Sequence, residues 1–357
     1  MSITSASTCG MGLIEALEVR KLFATTPAGN VFTQTNLVSD GAPAARVDAD
    51  LKNPWGMVLS PGGDWWVVNN GTATATIYDN SGNKLSPVVG IPGGGGKTAL
   101  PTGEALNTTS SFVIKSGSKS SAAEYLFAGE DGGISGWSSS VDNTHAVMAV
   151  DNSAAGAVYK GLAIAAVKGK PRLYATNFKS GRVEMYDGAF KRITSKTAFK
   201  DNLLPAGYAP FNVQNLGGLL YVTYALRDSS GTGDVAGRGH GQVDVYSPSG
   251  VLMRRFVRGK HMNSPWGLAM APKDFGPFAG DVLVGQFGSG VITAINPKTG
   301  KLVGTLSKAD GTPIVNDGLW ALSVGTSGDI YSSGSALYFT AGPNDEANGL
   351  FGSIQIS

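Results

Sequence analysis

Short apolar runs alternate with turns rich in glycine and polar residues along most of the chain, and the same succession of runs and turns is repeated several times. Each unit opens on a corner with Gly or Pro and leads into an apolar run, such as GMVLS at residues 56–60. A turn follows, then a run rich in aromatic and β-branched residues, such as WWVV, and then a third run, such as TATIY. Runs of this length and composition, bounded by turn signals, are typical of β-strands. The pattern therefore predicts a repeated unit of short strands.

The unit occurs six times, at a stride of roughly 50 residues that matches a four-stranded propeller blade. The last unit stops at its third strand, whereas residues 35–41 form a strand-like run outside any unit. Pairing these two strands removes both open sheet edges and closes a ring. We therefore predict an all-β fold, a six-bladed β-propeller of four-stranded blades closed by the N-terminal strand, with seven blades as the alternative count. The corners begin near Asn53, Pro101, Lys160, Ala209, Ser264 and Asp317.

Residues 1–30 do not share the repeat, so we place a single propeller domain at residues 31–357. The string LEVRKLFA at residues 17–24 resembles the LE-x-R-x-L-x-A segment near the start of many exported and surface proteins of planctomycete-like bacteria. That resemblance implies an exported protein that is extracellular, attached to the cell surface or periplasmic. The alternative is an amphipathic leader that carries no address.

Composition and charge exclude several classes of partner. The net charge of +2 is spread without basic runs, so we expect no nucleic-acid partner. No apolar run approaches the roughly 20 residues that cross a bilayer, so we expect no transmembrane segment. The single cysteine, Cys9, provides neither a disulfide framework nor a thiolate metal site. We expect a monomer.

Polar residues end nearly every second strand, and they define the candidate site. Connections along a blade alternate between two faces, so the opening corner and the loop between the second and third strands lie on one face. A ring of amide and carboxylate oxygens there suits Ca²⁺ or another divalent cation and a small or glycan ligand, with tryptophans as a platform. The candidates are Asn53, Trp55, Asn69, Glu130, Asp131, Asn177, Asn212, Tyr224, His240, Trp266, Gln286, Asp317, Trp320 and Asp345.

Each of these residues also has a structural interpretation. Asn and Asp favour turns and cap backbone groups, and Trp-Gly corners can pack between blades. The three histidines share no metal-ligand spacing, and the sequence contains no GxSxG motif. The GGGGK run at residues 93–97 lacks the strand-to-helix context of a phosphate-binding loop, and we expect no organic cofactor.

The NPWG and SPWG corners resemble those of the NHL and gluconolactonase-like class of six-bladed propellers. More narrowly, NPWGM, the segment at residues 263–292, DGLWAL and YFTAGPNDEANGLFG together resemble an uncharacterised family of exported bacterial propellers. Gluconolactonase-like enzymes hold a divalent ion with one Glu, two Asn and one Asp. By residue type and blade, that resemblance implies Asn177, Asn212 and Asp317 as metal ligands, whereas Asn53 replaces the Glu of the first blade.

Two functions of different classes are consistent with the sequence. The first is a secreted or surface-associated propeller that binds a small or carbohydrate-like ligand at the channel face, over a divalent cation if one is held. The alternative is a metal-dependent hydrolase or lyase for a lactone, ester or polysaccharide, with Glu130, Asp131, Asp345 or Glu346 as acid or base. Whether the chain is an enzyme stays open, and a scaffolding role is a third hypothesis.

Overall fold

A computed structural model of the chain describes residues 31–41, 43–325 and 336–357. Val31–Ser357 forms one compact unit by its internal contacts. The leader-like segment lies outside the described residues, so the expectation of export stays a prediction. Among the residues described, no helix combines the length and the apolar character needed to cross a membrane.

The described chain is mainly β-structure, and its strands form six blades in chain order. The chain begins with β1 (Phe32–Ser39) and β2 (Arg46–Val47). Blade 1 consists of β3 (Pro54–Leu59), β4 (Trp65–Asn69), β5 (Thr74–Tyr78) and β6 (Lys84–Gly90). Blade 2 begins with β7 (Pro101–Leu106), carries an inserted hairpin of β8 (Val113–Ser116) and β9 (Lys119–Ala122), and continues with β10 (Tyr125–Gly129), β11 (Gly133–Trp137) and β12 (Val147–Asp151). Blade 3 consists of β13 (Tyr159–Val167), β14 (Lys170–Asn177), β15 (Arg182–Asp187) and β16 (Arg192–Ile193).

Blade 4 consists of β17 (Tyr208–Leu216), β18 (Leu219–Leu226), β19 (Gly241–Tyr246) and β20 (Leu252–Arg258). Blade 5 consists of β21 (Pro265–Met270), β22 (Val282–Gln286), β23 (Ile292–Ile295) and β24 (Leu302–Thr305). Blade 6 consists of β25 (Leu319–Val324), β26 (Leu337–Ala341) and β27 (Leu350–Ile356), completed by β1. Short 3-10 turns lie at Gly94–Gly96, Ser153–Ala155 and Gly276–Phe278.

The N-terminal strand closes the ring, as predicted. β1 pairs antiparallel with β27, from Phe32 opposite Ile356 to Ser39 opposite Leu350, and supplies the fourth strand of blade 6. The two-residue β2 pairs parallel with the end of β1, at the outer edge of this sheet. Val38 of β1 is 1% exposed and belongs to the core cluster that also contains Phe351 of β27. The six-bladed, four-stranded architecture is therefore confirmed.

Each of the six inner strands carries a register shift at its opening corner. In blade 1 the shift lies between Pro54 and Met57 of β3. Such a β-bulge changes the direction of the side chain that it contains. In three blades the residue at this bulge is a tryptophan, and the side chains of these residues, Trp55, Trp266 and Trp320, contact one another at the channel.

Neighbouring inner strands approach each other closely beside these corners. A Cβ atom on Gly56 would lie 2.7 Å from the carbonyl oxygen of Thr102 in the next blade. Because only glycine fits at that distance, the Gly of the Trp-Gly corner is a packing requirement. Between blades 6 and 1, Thr340 donates a hydrogen bond from Oγ1 to the carbonyl of Trp55 at 2.7 Å.

Candidate ligand-binding site at the channel mouth

Buried aromatic rings fill the channel at the face that carries the blade corners. The rings of Trp55 and Trp320 stack with centroids 3.4 Å apart, and Trp266 meets them edge-on at 6.0 and 5.7 Å. Trp55, Trp266 and Trp320 are 2%, 4% and 1% exposed, so a ligand does not reach their faces. The structure gives these tryptophans the packing role and not that of a ligand platform. We call this group the aromatic plug; its members are Trp55, Trp266, Trp320, Phe178, Phe211 and Phe287.

Lys160 places a positive charge on the aromatic plug. Its Nζ lies 5.0 Å from the ring centroid of Trp55 and 5.8 Å from that of Phe178. Its side chain is 6% exposed and forms an ion pair with Glu130. A buried ammonium requires a counter-charge, because it has lost its hydration, and the ring faces add cation–π attraction.

Two carboxylates reach this lysine region from loops of different blades. Glu130, between β10 and β11, accepts hydrogen bonds from Lys160 and from Asn70 Nδ2, the latter at 3.3 Å. Glu346, between β26 and β27, accepts one from Asn53 Nδ2 at 2.7 Å. Asp234, in the long loop between β18 and β19, is also within the electrostatic influence of Lys160. We call these residues the Lys160 cluster; its members are Lys160, Glu130, Asp234, Glu346, Asn53 and Asn70.

Two carboxyl groups of the cluster bind their proton more tightly than usual. Burial raises the pKa of Glu346, and the charge of Glu130 adds to this, against the opposing effects of Asn53 and Lys160. Burial also raises the pKa of Asp234. The site therefore combines a buried ammonium with carboxyl groups that stay protonated to a higher pH than in water.

An unusual backbone turn presents Glu346. Asn344, Asp345 and Glu346 have φ angles of 58°, 52° and 64°, in the left-handed region that residues other than glycine rarely adopt. Asp317 stabilises the turn, since its Oδ2 accepts a hydrogen bond from the Asn344 amide at 2.9 Å. Asp345 is exposed, whereas Glu346 contacts Asn53. Such strain at a cluster of ionisable groups is common at functional sites.

The sequence places Lys160, Asn70 and Glu346 on the same face as the predicted site, but Lys160, Asn70 and Asp234 are not among the candidate ligand-binding residues, and Glu346 is named there only as a candidate acid or base. A signal for Lys160 was present in the repeat. The position equivalent to Trp55, directly before the corner glycine or its counterpart, carries Trp in three blades and Phe or Thr in two others, so a lysine there is the exception. Asp234 offered no comparable signal, because its loop has no counterpart in the other blades.

The three residues expected to hold a divalent cation are each engaged elsewhere. Asn177 accepts a hydrogen bond from the Ser180 amide at 3.1 Å, and Asn212 donates one to the Trp266 carbonyl at 2.9 Å. Asp317 holds the turn at residues 344–346. Within residues 31–41, 43–325 and 336–357, no group of three or more His, Cys, Asp or Glu is placed to hold a metal ion. A cation at Asn177, Asn212 and Asp317 stays a prediction without geometric support.

Asn69, Gln286 and Asp131 form hydrogen bonds with nearby strands or loops. Asn69 and Gln286 donate from their amides to threonines of the following strand, Thr76 and Thr293, at 3.0 Å each. Asp131 accepts hydrogen bonds from backbone amides, including that of Leu100 at 3.1 Å. These contacts fit the structural interpretation of these residues.

Tyr224 and His240 also contact neighbours in blade 4 or its long loop. The Tyr224 hydroxyl lies 2.8 Å from that of Tyr246, and the tyrosine is 3% exposed. His240 Nδ1 lies 2.9 Å from the Val235 carbonyl oxygen. Neither contact involves the Lys160 cluster, which unites Asn53 and Glu130 from the predicted set.

The fold and this site define a six-bladed β-propeller with a polar cluster at one end of its channel. The chain is 32% identical over 342 residues to the uncharacterised protein L690 of Acanthamoeba polyphaga mimivirus, covering 94% of this chain and 87% of that protein. It is 30% identical over 318 residues to the uncharacterised protein R648 of the same virus, covering 87% and 76%. The chain belongs to the family of these proteins. Their viral origin contradicts the bacterial origin that the sequence resemblance implied.

Solved propeller structures share the fold at low sequence identity. A protein of unknown function from Bacteroides thetaiotaomicron matches with a TM-score of 0.56 at 12% identity, covering 91% of this chain and 76% of that one. A glucose dehydrogenase matches with a TM-score of 0.56 at 11% identity, covering 91% and 100%. A virginiamycin B lyase from Staphylococcus aureus matches with a TM-score of 0.50 at 10% identity, covering 91% and 99%. No protein-family model matches the chain. At these identities the likeness shows the fold alone.

Proposed function

We propose that the chain binds a small, carbohydrate-like ligand at the Lys160 cluster. One observation carries the proposal: polar groups from blades 1, 2, 3 and 6 meet over the aromatic plug, through Asn70 to Glu130, Lys160 to Glu130 and Asn53 to Glu346. Groups from separate blades can surround one ligand, and the shared face of a propeller channel is where they converge.

The chemistry of the cluster suits hydroxyl groups. A sugar hydroxyl both donates and accepts, so it needs carboxylate oxygens as acceptors beside amide or ammonium donors. Glu130 and Glu346 supply the first, and Lys160, Asn53 and Asn70 supply the second. With three carboxyl groups around one ammonium, the cluster favours a neutral or cationic ligand over an anionic one.

Binding to a glycan array of neutral and amino sugars tests the proposal. We expect Lys160→Met and Glu346→Gln each to weaken binding at least about tenfold, because each removes a hydrogen-bonding group of the cluster. Lys168→Met is the matched control, since Lys168 is an exposed lysine in the turn between β13 and β14. No binding to any sugar, or binding that ignores both cluster variants, contradicts the proposal.

A hydrolase or lyase is the second candidate, and the raised pKa of Glu346 favours it. A carboxyl group that stays protonated beside an ammonium can donate a proton to a leaving group. Turnover of lactones, esters and polysaccharides should then be lost in Glu346→Gln and retained in Asp345→Asn. For the metal-dependent form, added Ca²⁺ should raise the melting temperature and Asp317→Ala should lower activity. No turnover by the parent protein rejects catalysis on these substrates.

We also propose that the protein acts outside the cell or at its surface, on the LEVRKLFA segment alone. Fusing residues 1–30 to a reporter tests this proposal. Retention of the reporter in the cytoplasm contradicts it.

A further inference from the structure

Blade 3 has an unusually short outer strand. β16 contains two residues, whereas the fourth strands of the other blades contain between four (β24) and eight (β1). β16 pairs with β15 only at Met185 and Tyr186. In the part of the chain that the structure describes, the outer edge of residues 182–184 therefore pairs with no strand. This free edge is about 10 Å long.

Contacts of Phe199 hold the segment after β16, residues 194–198, away from this edge. Its ring lies 5.6 Å from that of Tyr174 and 5.1 Å from that of Tyr246 in blade 4, measured between centroids. Its amide donates a hydrogen bond to the Gly250 carbonyl at 2.8 Å. Because these contacts fix the chain against blade 4, residues 194–198 cannot continue the pairing of β16 along β15.

The separation leaves a cleft between the free edge and the departing segment. Its volume is about 530 Å³, and residues 180–185, 192–196 and 198–200 line it. A cleft of this size is typical of ligand sites. Among its walls are backbone groups of an edge strand, which are available to pair with another extended chain.

The cleft is positively charged. Arg182, Lys196 and Lys200 are exposed, and none of them forms an ion pair with a described residue. The carboxylate of Glu184 in the same wall is already neutralised by Arg192, at 2.8 Å. The net positive charge of the cleft therefore comes from Arg182, Lys196 and Lys200.

We propose that an extended, acidic peptide segment binds this cleft and adds to β15 as an outer strand of blade 3. The free edge of residues 182–184 would bind the peptide main chain, as in other cases of strand addition. Arg182, Lys196 and Lys200 would attract its carboxylates. This surface is separate in sequence and contacts from the Lys160 cluster, and the proposal does not depend on a sugar ligand.

Fluorescence anisotropy with a labelled short peptide of alternating Val and Glu tests the proposal on the full chain. We expect Lys196→Glu combined with Lys200→Glu to weaken binding at least about tenfold, because two attractive charges become repulsive. Lys298→Glu combined with Lys301→Glu is the matched control, since both lysines are exposed on blade 5. It should leave the affinity unchanged.

Three further probes separate the parts of the proposal. A peptide with Lys in place of Glu should not bind, and equal binding overturns the role of charge. A Val-Glu peptide with N-methylated backbone amides should bind more weakly, and equal binding overturns strand addition. Tighter binding of a sulfated oligosaccharide would assign the cleft to anionic glycans instead. Absence of binding by the Val-Glu peptide overturns the proposal.

Discussion

The indole ring of Trp55 stacks on that of Trp320 across the boundary between blades 1 and 6, with centroids 3.4 Å apart. Trp320 Nε1 also donates a hydrogen bond to Asn53 Oδ1 at 3.2 Å, and Asn53 in turn donates to Glu346. The stacked pair thus links the closing blade of the ring to a carboxyl group of the Lys160 cluster. The side chain of Trp320 therefore contributes both to the stability of the contact between blades 1 and 6 and to the geometry of the Lys160 cluster.

Replacing Trp320 should therefore destabilise the protein strongly. We expect Trp320→Ala to lower the free energy of unfolding by about 3–5 kcal/mol, because a fully buried indole leaves a cavity. Guanidinium unfolding followed by fluorescence or circular dichroism measures this. Leu203→Ala, at a residue that is 63% exposed, should change stability by less than about 0.5 kcal/mol. Equal effects of the two substitutions would refute a structural role for the plug.

Replacing Glu104 should stabilise the protein. Glu104 lines the narrow channel, where the cavity has a volume of about 10 Å³, and is 7% exposed. Neither carboxyl oxygen has a hydrogen-bond partner among the described protein groups. The same position carries leucine in blades 3, 5 and 6. We expect Glu104→Leu to raise the free energy of unfolding by about 1–3 kcal/mol, measured by urea denaturation.

The effect of Glu104 should depend on pH in a defined direction. Burial raises the pKa of Glu104 well above its ordinary value. Above the unfolded-state pKa, the folded state holds a proton that the unfolded state has released, so the parent protein loses stability as pH rises from about 4. The advantage of Glu104→Leu should therefore be larger at pH 8 than at pH 5. Glu124→Leu is the contrasting control, since Glu124 accepts hydrogen bonds from Ser138 and Ser139, and it should destabilise.

The repeat in the sequence was sufficient to predict the six blades and the closing strand, because alternation and turn signals are local. It could not predict which loop ends meet. Asp345 and Glu346 are adjacent in sequence, and the left-handed turn decides which of them reaches Asn53. Similarly, Asn177 has the residue type of a metal ligand, but its hydrogen bonds to Ser180 and Glu184 depend on the folded loop and strand.

Asp201 should contribute a stability that acid removes. It accepts hydrogen bonds from Arg255 and Arg258, residues of β20. Burial alone would raise the pKa of Asp201, but the hydrogen bonds from Arg255 and Leu203 and the charge of Arg258 outweigh this and lower it to about 2. The stabilisation is therefore complete above the ordinary pKa and is lost as pH falls from about 4 towards 2.

The variant Asp201→Asn tests this directly. At pH 7 we expect it to lower the free energy of unfolding by about 1–2 kcal/mol, allowing for solvent screening of the arginines. The difference from the parent protein should shrink as pH approaches 2, in urea unfolding at constant ionic strength. Asp345→Asn, at an exposed residue, is the control and should change the free energy of unfolding at pH 7 by less than about 0.5 kcal/mol. A penalty that persists unchanged at pH 2 contradicts a carboxylate role.

Removing β1 should open the propeller. In a chain of residues 41–357, β27 keeps β26 but loses β1 on its other side and exposes an unpaired edge, and the buried Leu37 and Val38 are missing from the core. We expect aggregation and a lower soluble yield, measured by light scattering after gel filtration, because free edges pair with other chains. A chain of residues 31–357 is the control, as it retains β1. Adding a peptide of residues 31–41 should restore the solubility of the shorter chain, since the peptide can pair with β27. If the shorter chain stays dispersed and unfolds at the same denaturant concentration as the control, closure by β1 does not stabilise the ring.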